Sequence, residues 1–194
     1  MRLFVALDID EAIRGRIENF VAGVRGFAPE ARWVRAESLH VTLKFIGEEP
    51  GEHLDAIQGA LATVRIPAID LSFRGSGFFP SATNARVFWV GIQAADVLSK
   101  LASAVDQALT SIGMSPEKHA YTPHLTLARG AGASGAPHRR NDDQKNARFA
   151  KLQEKLASLH AEFGTMTARE FFLYQSQLSP QGSRYSKIAR FGLG

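Results

Sequence analysis

His40 and His124 lie 84 residues apart inside two runs that echo each other, SLHVTLKF at 38–45 and TPHLTLAR at 122–129. The same offset carries Arg2-Leu3-Phe4-Val5-Ala6-Leu7 onto Arg86-Val87-Phe88-Trp89-Val90-Gly91. Two separate segments that agree on one register mark an internal duplication, and a duplicated chain folds as two related halves. Each apolar run is followed by an acidic residue suited to cap a helix, Asp10 or Asp96, and then by apolar positions at helical spacing. These are Ile13, Ile17, Phe20 or Val21 and Val24 in the first half, and Leu98, Leu101, Val105, Leu109 and Ile112 in the second.

After each histidine run the spacing predicts a second helix, on Leu54, Ile57, Leu61 and Val64, and on Phe149, Leu152, Leu156, Leu159 and Phe163. Alternating segments at 69–73 and 170–174 read as half-buried strands. Each half is therefore expected to run strand, helix, strand, helix, strand. The register slips after His124, because Pro80 corresponds best to Pro180, and the second half carries about 16 extra residues. The surplus falls at about 130–148, a Gly-, Ala- and charge-rich stretch without periodicity that reads as a loop insertion. A closing strand is expected at 184–191.

With 194 residues and 45% apolar content the chain has enough material for one bilobal domain, its halves at about 1–80 and 86–180. A formal charge of +4 favours a polyanionic partner. The absence of cysteine excludes a disulfide framework and a thiolate metal site, leaving only His and carboxylate as metal donors. The apolar run at 3–7 is too short for a signal-peptide core or a membrane span, so the expected location is the cytoplasm and no membrane partner is expected. A monomer is the default.

In an extended strand residues two apart share a face, so His40 projects with Thr42 and His124 with Thr126, opposite the apolar Val41, Leu43, Leu125 and Leu127. If the halves face each other, one cleft holds two imidazoles and two hydroxyls. Such a pair suits acid-base chemistry in which one imidazole takes a proton and the other gives one, as opening a cyclic phosphodiester requires. The threonine hydroxyls suit the non-bridging phosphate oxygens. A duplicated scaffold needs only its apolar positions repeated, whereas here the polar His and Thr repeat as well. A metal site fits less well, since two histidines are too few ligands and no Asp, Glu or third His has suitable spacing. His53 at a helix start, His119 in a turn and His160 within a helix read as structural or solvent-facing, and His138-Arg139-Arg140 as a solvated cluster.

At these residues the chain resembles the 2H phosphoesterase superfamily, and within it the LigT-like RNA 2′,3′-cyclic phosphodiesterases, historically called 2′-5′ RNA ligases. The resemblance includes RLFVALDID at the start, RWVRAESLHVTLKFIGE, GFFPSATNARVFWVGI, YTPHLTLAR, and LYQSQLSPQGSRYSKIARF near the end. It implies an α+β fold, bilobal and pseudo-twofold, with antiparallel sheets lining a central cleft. It further implies hydrolysis of an RNA terminal 2′,3′-cyclic phosphate to a 2′-phosphomonoester, without metal or other cofactor, and a reversible 2′-5′ ligase activity through the same histidines. The substrates implied are tRNA-like fragments or oligonucleotides with cyclic ends. By position His40 would be the proton donor, His124 the proton acceptor, and Thr42 and Thr126 the phosphate holders. Arg129 would add charge and Phe45 a ring for the terminal base. Two alternatives stay open, a non-catalytic RNA-end-binding module and a 2H phosphodiesterase acting on another cyclic or 2′-5′-linked phosphodiester.

Overall fold

The computed structural model describes residues 1–130, 143–179 and 182–194, so most of the expected insertion, with His138, Arg139 and Arg140, and the Pro180 marker lie outside the described residues. In chain order the elements are β1 (Arg2–Leu7), α1 (Glu11–Val24), β2 (Arg32–Trp33), β3 (Val41–Glu48), α2 (Leu54–Leu61), β4 (Ile69–Phe79) and β5 (Val87–Gln93). They continue with α3 (Val97–Thr110), β6 (His124–Arg129), α4 (Asp143–Leu156), β7 (Glu162–Ala168), β8 (Glu170–Ser179) and β9 (Gly182–Gly192). Both sheets are antiparallel, one ordered β3-β1-β8-β9 and the other β2-β6-β5-β4-β7.

The sheets do not coincide with the sequence halves. The strand that ends the first half, β4, bonds β5 of the second, and β8, which ends the second half, bonds β1 of the first. The halves have exchanged their third strands. Apolar alternation marks which face of a strand is buried and leaves open which neighbour it bonds, so the pattern at 69–73 is silent on the exchange.

The apolar faces of α1 and α3 pack with the sheets in one continuous core that includes Leu3, Val5, Ile13, Ile17, Leu43, Leu101, Val105 and Leu127. A second, smaller cluster of Phe4, Ala6, Phe172 and Tyr174 covers the opposite face of the first sheet, toward the cleft. Because β1 is buried on both faces from Leu3 to Leu7, its side-chain pattern does not fix its register. Ala6 lies opposite Thr42 and Trp89 opposite Thr126, so β1 and β5 correspond at an offset of 83, one less than the motif strands.

Other expectations shift locally. Asp10 and Asp96 occupy the N-cap positions, but neither side chain bonds a helix N–H, and Asp96 pairs instead with Lys100 at 2.6 Å. The third helix stops at Thr110, before Ile112, which is exposed. Phe163 closes the helical spacing in the sequence yet belongs to β7, and α4 ends at Leu156, so His160 lies between the two elements rather than in a helix. Gly164 with φ +100°, followed by Thr165 and Thr167, favours extended chain over another helical turn, and β7 buries Phe163, Met166 and Ala168 at the sheet edge.

Candidate active site

The two motif strands contain the same irregularity. Between Thr42 and Lys44, β3 advances two residues while β1 moves only from Ala6 to Val5, leaving Leu43 as an extra residue. Between Thr126 and Ala128, β6 does the same against Trp89 and Phe88, leaving Leu127 extra. Such a bulge reverses the alternation beyond it. Phe45 thereby joins Thr42 on the cleft face, and Arg129 joins Thr126, although an odd spacing separates each pair. The bulges are themselves 84 residues apart, so Phe45 and Arg129 are structural equivalents.

All six residues expected at the site, His40, Thr42, Phe45, His124, Thr126 and Arg129, line one open cavity of about 520 Å³ between the sheets. Each imidazole is oriented by its own chain: His40 Nδ1 bonds the Ser38 carbonyl at 2.8 Å, and His124 Nδ1 bonds the Thr122 carbonyl at 2.7 Å. A carbonyl only accepts, so Nδ1 carries the hydrogen in both and Nε2 remains for the cleft.

Their surroundings differ. Around His40 stand Phe4 (ring centroids 4.8 Å apart), Tyr185 (5.1 Å, edge-on) and Tyr174 (6.1 Å). Among the described residues His124 has Phe79 alone, edge-on at 4.9 Å. Burial lowers the His40 pKa to about 4, against the opposing pull of the Ser38 bond and of Asp8 and with the help of Arg129. For His124 burial also lowers the pKa, the Thr122 bond opposes it, and Arg129 adds to it. Both shifts leave the imidazoles neutral at pH 7.

Several residues at or behind the cleft carry no signal in the sequence. Tyr185, Arg2 and Arg32 line the same cavity. A second cavity of about 470 Å³ adjoins the far side of His40, where Asp8 takes a hydrogen bond from Lys187 and an ion pair from Arg14 at 2.8 Å. On the core side of β3, buried Lys44 reaches Asp106 at 2.5 Å and the Ser115 carbonyl at 3.0 Å, while the Tyr121 hydroxyl donates to the Thr42 carbonyl at 3.0 Å. The segment leading into the second motif is thus fastened to the strand of the first. A lone Tyr next to a motif or a Lys within one does not announce such long-range bonds. Phe45, expected to offer a ring, is 59% exposed and free to do so. Among the described residues no three His, Cys, Asp or Glu side chains gather closely enough to hold a metal, and no helix is long and apolar enough to cross a membrane.

Comparison with known proteins adds an independent line. The pattern of the family described as LigT like Phosphoesterase matches this chain twice, at 7–89 and at 90–185. An RNA 2′,3′-cyclic phosphodiesterase of Archaeoglobus fulgidus is 34% identical over 191 residues, which cover 98% of this chain and 99% of the relative. A protein of the same name from Methanothermobacter thermautotrophicus is 31% identical over 195 residues, covering 100% and 99%. Among solved structures, Escherichia coli LigT in complex with 3′-AMP superposes with a TM-score of 0.76 at 28% identity, covering 99% of this chain and 97% of that one.

Proposed function

The chain belongs to the LigT-like phosphoesterase family, and from that premise we propose that it opens the 2′,3′-cyclic phosphate at the end of an RNA, leaving a 2′-phosphomonoester. The observation that carries the reading is the pair of imidazoles in one cavity, each held through Nδ1 so that Nε2 is left for the substrate. His124 Nε2 takes a proton from water as the water oxygen bonds phosphorus. The bond from phosphorus to O3′ breaks, and His40 delivers a proton to the departing O3′. The hydroxyl of water ends on phosphorus and the proton on the ribose, so atoms and charge balance once the histidines re-equilibrate. Thr42 and Thr126 donate to the non-bridging oxygens, and Arg129 supplies positive charge where negative charge grows.

The donor must enter charged, and burial opposes that at His40. The anionic phosphodiester offsets the desolvation, as does the Asp8 carboxylate behind the ring, so substrate binding and protonation of His40 are coupled. With a 5′-hydroxyl in place of water the same two proton transfers join two RNA ends through a 2′-5′ linkage. The reading also takes the protein to act as a monomer, since one chain supplies both motifs, and to work in the cytoplasm on oligonucleotides or tRNA-like fragments.

The test is turnover of an RNA oligonucleotide ending in a 2′,3′-cyclic phosphate, with EDTA present, in wild type, His40→Ala and His124→Ala. Wild type should yield the 2′-phosphate, and each substitution should cost about 10²- to 10⁴-fold in rate. RNA binding without ring opening would make the cleft a binding module, and loss of wild-type turnover in EDTA would reinstate a metal.

A further inference from the structure

The cleft holds more positive charge than the reacting group can use. Arg129 lies directly opposite Arg32 across the β2 and β6 pairing, so both side chains project from the same face of the second sheet. From the first sheet Arg2 joins the cavity wall, on the same strand face as Phe4 and Ala6. Burial first, then the nearby charges of Arg32 and Arg2, lower the pKa of Arg129, against an opposing pull from Tyr185, so the three guanidiniums are within electrostatic reach of one another. Among the described residues none of the three has a carboxylate partner, whereas Arg35 on the same wall is paired with Glu37 at 3.2 Å. Like charges set directly across two strands work against the fold, and among the described residues no carboxylate compensates them. Such a cluster is stable when an anion sits in it.

A cyclic phosphodiester brings one negative charge. Arg129, on the strand face of His124 and Thr126, is placed to meet it. Arg2 and Arg32 remain, together with the exposed ring of Phe45 and the flank of Trp33 on the cavity wall. Resting on the function proposed above, we infer that Arg2 and Arg32 form a second anion subsite that holds the phosphodiester immediately 5′ of the terminal nucleotide. The enzyme then selects the end of an oligonucleotide over a cyclic mononucleotide.

The experiment compares three substrates: uridine 2′,3′-cyclic phosphate, a dinucleotide ending in the same group, and that dinucleotide with its internal linkage replaced by an uncharged methylphosphonate. Wild type should favour the charged dinucleotide over the methylphosphonate by about tenfold in kcat/KM, the effect of one or two charge-assisted hydrogen bonds. Arg32→Gln and Arg2→Gln should each remove most of that preference, chiefly by raising KM for the charged dinucleotide, while the methylphosphonate loses less than about threefold. Added salt should erode the wild-type preference and leave the variants nearly indifferent. Equal wild-type use of the two dinucleotides, or a loss of the same factor on all three substrates in the variants, would overturn the subsite and assign these arginines to the reacting phosphate. Failure of wild type to open any of the three would overturn the phosphodiesterase reading itself, and the subsite with it.

Discussion

His40 immediately precedes β3 and His124 opens β6, each ahead of an equivalent bulge and each aimed by a carbonyl two residues upstream, yet their neighbourhoods are not copies. Among the described residues three aromatic rings enclose the first imidazole and one flanks the second. Tyr174 comes from β8, the last strand of the second half, and Tyr185 from the closing strand β9, and both strands complete the first sheet. Each exchanged strand gives one ring, Tyr174 of β8 beside His40 and Phe79 of β4 beside His124, so the asymmetry comes from Phe4 of β1 and Tyr185 of the closing strand β9. Duplication places two identical bases, and burial makes both harder to charge, lowering the pKa of His40 to about 4. That inequality opposes the donor role proposed for His40, so the charge of the bound phosphodiester has to set the two roles.

The inequality can be broken most directly through stability. The His40 pKa falls from 6.5 in the unfolded chain to about 4 in the fold, so between those values the unfolded state binds the proton and the folded state does not. Stability is therefore complete above pH 6.5 and declines as pH falls toward 4, by on the order of 3 kcal/mol. His124 contributes in the same direction. Urea unfolding at pH 7.5 and pH 4.5 should show this decline in wild type and a clearly smaller one in His40→Gln, which has nothing to titrate. Equal declines in the two proteins would place the acid sensitivity elsewhere and remove the argument that the rings set His40 apart.

A second comparison concerns the hydroxyls. Thr42 and Thr126 face the same cavity from opposite sheets, and neither donates a hydroxyl hydrogen bond to a described residue. Replacing either with the isosteric Val should lower kcat about tenfold, one neutral hydrogen bond to a charged oxygen, with little change in stability. Losses of similar size would mean that the phosphate sits symmetrically between the motifs. A loss confined to one would mean that the substrate has inherited the asymmetry of the histidines.

The sequence made the motif strands, β1, β5, the first helix of each half and the cleft-facing His and Thr legible, because identical polar residues on an apolar background are rare enough to align two segments. Phe45 and Arg129 were legible only through resemblance. Their odd spacing from the threonines puts them on the wrong face of any regular strand, and the bulges at Leu43 and Leu127 that turn them inward leave no residue signature. The one-residue difference between the offsets of the first and motif strands is hidden because β1 is apolar on both faces. The partnership of Arg2, Arg32 and Arg129 is hidden for a simpler reason: cations brought together from three strands and two sheets have no spacing in the chain.

The smallest expected effect tests whether the two halves of the site are mechanically one. Tyr121 donates its hydroxyl to the Thr42 carbonyl at 3.0 Å, and its chain neighbour Thr122 supplies the carbonyl that orients His124 at 2.7 Å. A single hydrogen bond therefore separates the backbone of the first motif from the group that aims the second. Burial raises the Tyr121 pKa above its ordinary value, so the hydroxyl stays a donor throughout the working range. In Tyr121→Phe the ring and its packing remain and only this fastening is lost. Misplacement of a base lowers the rate of proton transfer without changing what the substrate touches, so kcat should fall about threefold with KM unchanged. Relaxation of His124 toward water should also raise its pKa toward 6.5, read as a shift of the acidic limb of the pH profile. A lower Tm with both kcat and the pH profile intact would show that the bond serves packing alone and that each motif orients its own histidine.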